Sequence, residues 1–201
     1  MFVDNTVGSL SSLLFNPEDS YILGLWGADK YVRSSSIGLS TTNVHLLKKF
    51  IDFFNTRFPK DRVRIRVYGT DGAFRFGEYK VSYCKPSKHR LQGMHVYVNS
   101  RPLVREFYTS LELRKELRGQ CLYSYAAGRF DGDGSISSGS RSFLRIVYGN
   151  ERDVSLDKNL LEEFSPRIYK YEKAGTYCLY IPQRNVSDFL SKTSEYSIKL
   201  R

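Results

Sequence analysis

One helix-forming motif occurs twice in this chain, 104 residues apart, and this repeat limits the fold more than any other feature. The clearer copy spans residues 125–135 and reads YAAGRFDGDGS. Its small residues would let a second helix backbone approach closely, because glycine carries no Cβ atom. We expect Gly134, directly after the carboxylates, to end the helix in the left-handed conformation. The motif therefore predicts a helix that packs tightly against another helix.

Two acidic residues stand at the predicted C-terminal end of this helix, where the helix dipole disfavours negative charge. They are Asp131 and Asp133. A bound cation is the commonest reason for acids at such a place, and a plain turn is the alternative. An EF-hand loop is excluded, because it would need glycine at Ile136 and glutamate at Ser142. The acids therefore indicate a cation site.

The second copy of the motif spans residues 16–29 and reads NPEDSYILGLWGAD. Asn16 suits an N-cap and Pro17 suits the first helical position. Asp29 then falls in the register of Asp133, although Lys30 follows it where the other copy has glycine. Taken alone, Asp29 is better explained as a solvated acid at a helix end. The matching register is what favours a shared role for the two acids.

The clearer copy resembles the LAGLIDADG signature of homing endonucleases, and the first copy is similar to it in degenerate form. The resemblance implies an α+β fold of two pseudo-symmetric αββαββα-type repeats. It also implies that the two signature helices pack at the centre, next to an antiparallel β saddle. We expect the repeats to cover residues 1–114 and 115–201 of a monomer.

Hydrophobic periodicity predicts further elements in both halves. Val96-Tyr97-Val98 recurs as Leu179-Tyr180-Ile181, and the 83 residues from Tyr97 to Tyr180 make the second copy about 21 residues shorter. Helices are expected at 17–29, 44–58 (ended by Pro59), 101–114, 119–132, 156–164 and from about 185. Strands are expected at 31–42, 62–68, 79–83, 94–98, 143–148 and on both sides of Gly175.

Packing of the signature helices would bring two carboxylates together. If they meet through Gly24, Ala28, Ala127 and Gly128, then Asp29 and Asp133 lie close to each other. Both stay ionised at neutral pH only with a cation between them. A hard divalent ion, Mg²⁺, fits oxygen ligands, with Ca²⁺ as a substitute that supports binding only. The resemblance implies two active centres, one for each DNA strand, with Ala28 and Gly132 as further metal ligands.

The resemblance also implies a polar residue after the strand that leads into the second helix, and a lysine near the active centre. Thr41, with Thr42 beside it, takes the first position. Lys115 and Lys199 take equivalent places after the third helix of each repeat. An exposed lysine at a helix end remains an equally good explanation of both.

The net charge of +10 is spread over the chain, which suits a nucleic-acid surface as well as it suits a soluble basic protein. Strict alternation at 62–68 places Arg62, Arg64, Arg66 and Tyr68 on one face of a strand, opposite three aliphatic residues. Such a basic ribbon fits the DNA major groove, where arginine contacts guanine or phosphate. Weaker candidates for DNA contacts are Arg33, Lys80, Lys85, Lys88, Arg90, Arg141, Arg145, Lys170 and Lys173.

Several classes of protein are excluded. The three cysteines show no C-x-x-C spacing, so a zinc site and a disulfide framework are not expected. No apolar run reaches the length of a membrane span. We expect an intracellular protein without an obligatory protein partner, which would lie in the cytoplasm if the host is a prokaryote, with an organelle as the alternative.

These observations predict a site-specific, Mg²⁺-dependent endonuclease of the homing type, acting on a long asymmetric site in double-stranded DNA. Two alternatives share its fold, namely an intron RNA maturase and a catalytically inactive DNA-binding regulator. The presence of both Asp29 and Asp133 favours the enzyme.

Overall fold

The fold consists of two sheets, each covered by helices and each following one of two central helices. A computed structural model describes residues 12–33, 35–69, 76–85, 93–137 and 143–200. The first half contains α1 (Pro17–Asp29), β1 (Lys30–Arg33), β2 (Ser36–Thr41), α2 (Val44–Asn55), β3 (Arg64–Tyr68), β4 (Lys80–Cys84), β5 (Gly93–Asn99) and α3 (Arg101–Leu113). The second half contains α4 (Gly119–Asp133), β6 (Gly134–Ser137), β7 (Phe143–Tyr148), α5 (Glu151–Leu160), β8 (Arg167–Tyr171), β9 (Thr176–Ile181) and α6 (Gln183–Thr193).

The two sheets share one strand order, apart from one additional edge strand. The first sheet runs β1-β2-β5-β3-β4 and the second runs β6-β7-β9-β8. All neighbouring strands are antiparallel except β3 and β4, which pair in parallel. The predicted α+β fold is confirmed, and the second half follows the αββαββα order. β4 has no counterpart there, which explains why the second copy is shorter.

Reciprocal glycine contacts hold α1 and α4 together. A Cβ atom at Gly24 would overlap the carbonyl oxygen of Tyr125, and one at Gly128 would overlap the carbonyl oxygen of Tyr21. Gly128 stands 104 positions after Gly24, and Tyr125 stands 104 positions after Tyr21, so the contact is symmetric. Nearer the C-terminal ends, a Cβ at Gly132 would overlap that of Ala28. The predicted packing of the two signature helices is therefore confirmed.

The surroundings of α1 and α4 explain their composition. In α1, residues 20–26 are all buried, and in α4, residues 124–131 are all buried. A helix that is buried on every side has no polar face to display. The outer helices α2, α3 and α6 instead carry buried residues on one side only. The core therefore lies between the central helix pair and the inner faces of both sheets.

Three predicted elements have different bounds in the structure. The expected strand at 31–42 is a hairpin of β1 and β2. The second helix ends at Asn55, well before Pro59. The backbone amide of Thr56 closes its last turn by donating to the carbonyl oxygens of Asp52 and Phe54. The helix expected at 156–164 begins at Glu151, since the Asn150 side chain caps it by accepting a hydrogen bond from the Asp153 amide at 2.9 Å.

Two further predictions about single residues were wrong. Arg62 lies in a 3₁₀ turn (Lys60–Arg62) rather than in the strand, which begins at Arg64. Gly134 is not left-handed, because its φ of −89° and ψ of 154° start β6 directly. Glycine is needed there for a different reason, since a Cβ atom would overlap the Phe130 ring.

We expect Gly128→Ala to destabilise the protein by about 3 kcal/mol, the upper part of the range for overpacked cores, because the new methyl group meets backbone that cannot rotate away. Gly149→Ala is the matched control, since a Cβ atom there meets nothing within 4 Å. Urea unfolding of both variants measures the difference. Equal midpoints for the two variants would contradict close packing of α1 on α4.

Candidate active site

The C-terminal ends of α1 and α4 bring Asp29 and Asp133 to the same place. A Cβ built on Gly132, the residue before Asp133, lies 3.7 Å from Asp29 Oδ2. Burial, and secondly the charge of Asp133, raise the pKa of Asp29 to about 6. Burial also raises the pKa of Asp133, and both shifts are opposed by the positive charges of Arg129 and Lys199. The predicted meeting of two carboxylates is thus found.

A pocket of about 450 Å³ opens beside Asp29, and three other predicted residues, Thr41, Gly132 and Lys199, line it. Thr41 stands at the end of β2, and its hydroxyl accepts a hydrogen bond from the Asn43 amide at 3.1 Å. Lys199 Nζ donates to the carbonyl oxygen of Gly132 at 3.1 Å. Ser40, Thr42, Asn43 and His95 add further polar groups to the wall of this pocket. The structure therefore gathers Asp29, Thr41 and Lys199 around one opening.

Asp131 has a structural role rather than the cation-binding role that its position suggested. Its side chain is fully buried and accepts hydrogen bonds from Tyr21 Oη at 2.6 Å and Ser197 Oγ at 2.5 Å. The backbone amides of Ile198 and Lys199 donate to it at 2.6 and 3.1 Å. Four donors satisfy this carboxylate without a metal ion. Asp131 thereby fixes the chain segment that carries Lys199 beside the candidate site.

Lys115 is not brought to the site. It is exposed in the 3₁₀ turn Arg114–Glu116, which precedes α4. Asp133 ends that 15-residue helix, and a rise of 1.5 Å per residue separates its two ends by about 20 Å. The candidate site therefore contains one of the two predicted lysines.

A buried ionic cluster supports the site, and sequence reasoning missed it. Asp157 of α5 accepts hydrogen bonds from Arg114 Nε at 2.7 Å, Tyr148 Oη at 2.9 Å and Tyr125 Oη at 3.1 Å. Arg129 lies 4.3 Å from the Tyr148 ring centre, and its Nε is 3.5 Å from Asp157. Arg129 takes the position of Leu25 in the first motif copy. A charged residue inside an otherwise apolar motif was the signal that could have revealed this cluster.

The chemistry of the donors fits a hard divalent cation. Asp29 and Asp133 would supply carboxylates. The predicted ligands Ala28 and Gly132 have backbone oxygens in the same helix ends, and that of Gly132 accepts the hydrogen bond from Lys199. Within the described residues, no group of three or more His, Cys, Asp and Glu side chains could hold a metal. A Mg²⁺ or Ca²⁺ ion suits such a sparse oxygen set, because water and phosphate complete its shell.

The solvent face of the first sheet is basic, as predicted for β3. Ile65 and Val67 are buried, so Arg64, Arg66 and Tyr68 point to the other face. Arg64 is in register with Lys80 on β4, which places both on this face. Arg62 lies outside the strand, where it donates to the Asn99 carbonyl at 2.9 Å. Arg33 is exposed at the end of β1, and Lys85 is exposed just after β4.

The solvent face of the second sheet carries Arg145 as predicted, together with an arginine that was not predicted. Tyr180 on β9 is in register with both Arg145 on β7 and Arg167 on β8. Arg167 is the equivalent of Arg64, which pairs with Tyr97, so the Tyr97–Tyr180 repeat could have identified it. Lys170 lies on the opposite face and pairs with Glu172 at 3.0 Å, while Lys173 is exposed in the next turn. Lys88, Arg90 and Arg141 lie outside the described residues.

Cys84, Cys121 and Cys178 are free thiols. In the described part of the chain, no helix has the combination of length and apolar character that crossing a membrane requires.

No family model matches the chain, and no curated protein matches it. Among solved structures, I-DmoI in complex with DNA and Mn is 17% identical with a TM-score of 0.58, and the match covers 88% of this chain and 96% of that one. The homing endonuclease I-WcaI, bound to its DNA recognition sequence, is 12% identical with a TM-score of 0.65, covering 96% and 92%. Full-length DUF199/WhiA from Thermatoga maritima is 15% identical with a TM-score of 0.55, covering 97% and 60%. The chain therefore has the LAGLIDADG homing endonuclease fold.

We expect Asp29→Asn to raise the melting temperature of the metal-free protein at pH 7.5 by roughly 3–8 °C. The pKa of Asp29 is raised from 3.8 to about 6, so its ionised form destabilises the fold above pH 6. The gain should shrink as the pH falls from 6 towards 3.8, because the wild-type carboxyl then becomes protonated. Melting curves between pH 4.5 and 7.5 measure this, with Asp61→Asn as an exposed control. A gain that is independent of pH would contradict the assigned shift.

Proposed function

We propose that this protein is a site-specific, metal-dependent endonuclease that cleaves both strands of double-stranded DNA. The observation that carries the proposal is the pair of half-buried carboxylates, Asp29 and Asp133, at the meeting ends of two glycine-packed helices. The fold is similar to those of I-DmoI and I-WcaI, whose structures contain DNA. A homing-type role in a mobile intron, an intracellular location and a monomeric state belong to the same proposal.

Asp29 and Asp133 would hold Mg²⁺ through their carboxylates, with backbone oxygens of the same helix ends nearby. A bound divalent ion supplies an activated water and a counter-charge for the phosphodiester. The positive charge of Lys199 acts on both acids, and its ammonium group lies 3.1 Å from the Gly132 carbonyl oxygen. We propose that the Lys199 ammonium group binds a phosphate oxygen of the phosphodiester to be cleaved. The Thr41 hydroxyl, in the wall of the same pocket, would orient water.

The duplex would lie across the solvent faces of both sheets. β1 starts directly after Asp29, and β6 starts directly after Asp133, so each face begins at one carboxylate. Arg64, Arg66 and Lys80 provide cations on the first face, and Arg145 and Arg167 provide them on the second. Because these two sets differ, the target would have two unlike halves.

A catalytically inactive DNA-binding protein is the second candidate, and an asymmetry in the strands favours it. Thr41 ends β2 at the wall of the Asp29 pocket, whereas Tyr148 ends β7 and is buried against Asp157. The Asp133 side therefore lacks this polar residue at the equivalent position. Such a protein would bind its site, and would nick it or leave it intact.

Cleavage of sites selected from a random duplex library decides between these functions. We expect wild-type protein to cut both strands in Mg²⁺ and only to bind in Ca²⁺. Asp29→Asn and Asp133→Asn should each abolish double-strand cleavage with nearly unchanged binding in Ca²⁺, because the amide keeps the shape and removes the charge. Asp61→Asn should cleave normally. Intact DNA with wild-type protein in Mg²⁺ would support the inactive binder, and full cleavage by Asp133→Asn would refute its assigned role.

Binding titrations at several salt concentrations test the basic face of the first sheet. Truncation of a side chain that contacts a base edge should weaken binding by about 1–3 kcal/mol and reduce specificity at one base pair of the target. Truncation of a side chain that contacts only phosphate should weaken binding to all sequences alike. It should also reduce the slope of log binding constant against log salt concentration by about one. We expect Arg64→Ala and Arg66→Ala to include one of each kind, and Arg62→Ala to have a smaller effect. Arg105→Ala on α3 is the control, and unchanged binding by all variants would remove this face from the interface.

A further inference from the structure

The solvent face of the second sheet contains an aromatic cavity that the proposed catalytic chemistry does not use. Its volume is about 330 Å³, and Phe143, Arg167, Tyr169, Tyr171 and Tyr180 line it. Tyr169 is 50% exposed and Tyr171 is 44% exposed, and the two rings lie side by side in one lining, so they form a contiguous exposed patch. The cavity therefore presents apolar surface on the same face as Arg145.

Contacts between the rings shape this cavity before anything binds. Phe143 lies 5.2 Å from Tyr180 between ring centres, and Tyr169 meets Tyr180 edge-on at 5.0 Å. The hydroxyl groups of Tyr171 and Tyr180 are hydrogen-bonded to each other. Ring edges in such an arrangement offer a firm apolar contact at a low cost in conformational entropy.

The equivalent surface of the first sheet is built differently. There the Arg66 guanidinium lies 5.2 Å from the Tyr97 ring centre, and Tyr31 packs on Tyr97 at 5.5 Å. Gly38 stands opposite Tyr97 on β2, where a side chain would overlap the neighbouring strand. In the second sheet, Arg145 stands opposite Tyr180 instead. On the first sheet, Arg66 and Tyr31 pack on the central Tyr97. On the second sheet, the rings of Tyr169 and Tyr171 remain exposed and open to a ligand.

We infer that this cavity recognises the 5-methyl group of a pyrimidine in the half of the target that lies under the second sheet. In the major groove of DNA, the thymine methyl is the apolar group that a protein can read, and aromatic side chains contact it. Arg167 at the rim adds a cation for the neighbouring phosphate. The inference rests on the proposed binding of duplex DNA and adds a determinant of specificity to it. Thymine and 5-methylcytosine share this chemistry.

Replacement of thymine by deoxyuridine in a selected duplex removes the methyl group alone. We expect one or two replacements, all in the same half of the site, to weaken binding in Ca²⁺ by about fourfold each, which corresponds to ~0.8 kcal/mol per buried carbon. Tyr169→Ala and Tyr171→Ala should bind the thymine and uracil duplexes equally. Tyr83→Ala is the matched control, because Tyr83 is 58% exposed on the other face of the first sheet and should keep the thymine preference.

Whether the cavity also accepts the methyl group of 5-methylcytosine is tested by placing cytosine or 5-methylcytosine at the positions where uracil weakens binding. Tighter binding of the methylated base would extend recognition to both pyrimidines, whereas no difference would restrict it to thymine. The inference is overturned if uracil is tolerated everywhere, or if Tyr169→Ala and Tyr171→Ala, folded as judged by unchanged melting, keep the thymine preference. Absence of binding to any duplex would overturn the proposed function as well. Binding without a methyl effect would overturn this inference alone.

Discussion

The close approach of two helix backbones is the constraint on which the other features depend. Gly24 and Gly128 each face a carbonyl oxygen of the opposite helix, and any side chain at either position would separate the pair. This approach brings the C-terminal ends of α1 and α4 together, and with them Asp29 and Asp133. The cost is electrostatic, because two carboxylates are concentrated where both helix dipoles are negative. Burial of these acids and the raised pKa of Asp29 are the direct results of that packing.

Arg129 and Lys199 provide the positive charge that opposes the raised pKa values of these two acids, and the two side chains are held in different ways. Arg129 is buried between α4 and α5, and its position is fixed by Tyr148 and Asp157, so its charge is a permanent part of the core. Lys199 is instead held by the backbone, because the neighbouring amides bind Asp131. Asp131 has therefore become an anchor, while Asp29 and Asp133 remain half-buried at the helix ends, where the described part of the chain provides no such set of donors. The two halves are symmetric in backbone and different in electrostatics.

The sequence was sufficient for elements whose cause is local. Asn16, Pro17 and Asn43 mark the helix starts that the structure contains, and the register of the two motif copies predicted the central packing. Failures arose where tertiary contacts decide. Gly134 was expected to adopt the left-handed conformation, but glycine is needed there because the Phe130 ring packs against it. The partners of Asp131 could not be predicted, because donors such as Ser197 come from the distant C-terminal segment. The assignment of the basic residues also depended on pairing between distant strands, which placed Arg167 with Arg145 and separated Lys170 from both.

The absence of any connecting residue between α1 and β1, and between α4 and β6, has a consequence for evolution. Each acid is joined directly to the first strand of its sheet, so the spacing between the carboxylate and the side chains on the solvent face of that sheet is set by covalent geometry. If the proposed function holds, a lineage with this architecture would acquire new targets by exchanging side chains on a fixed frame, and its cutting position would remain constant while its preferred sequence changes.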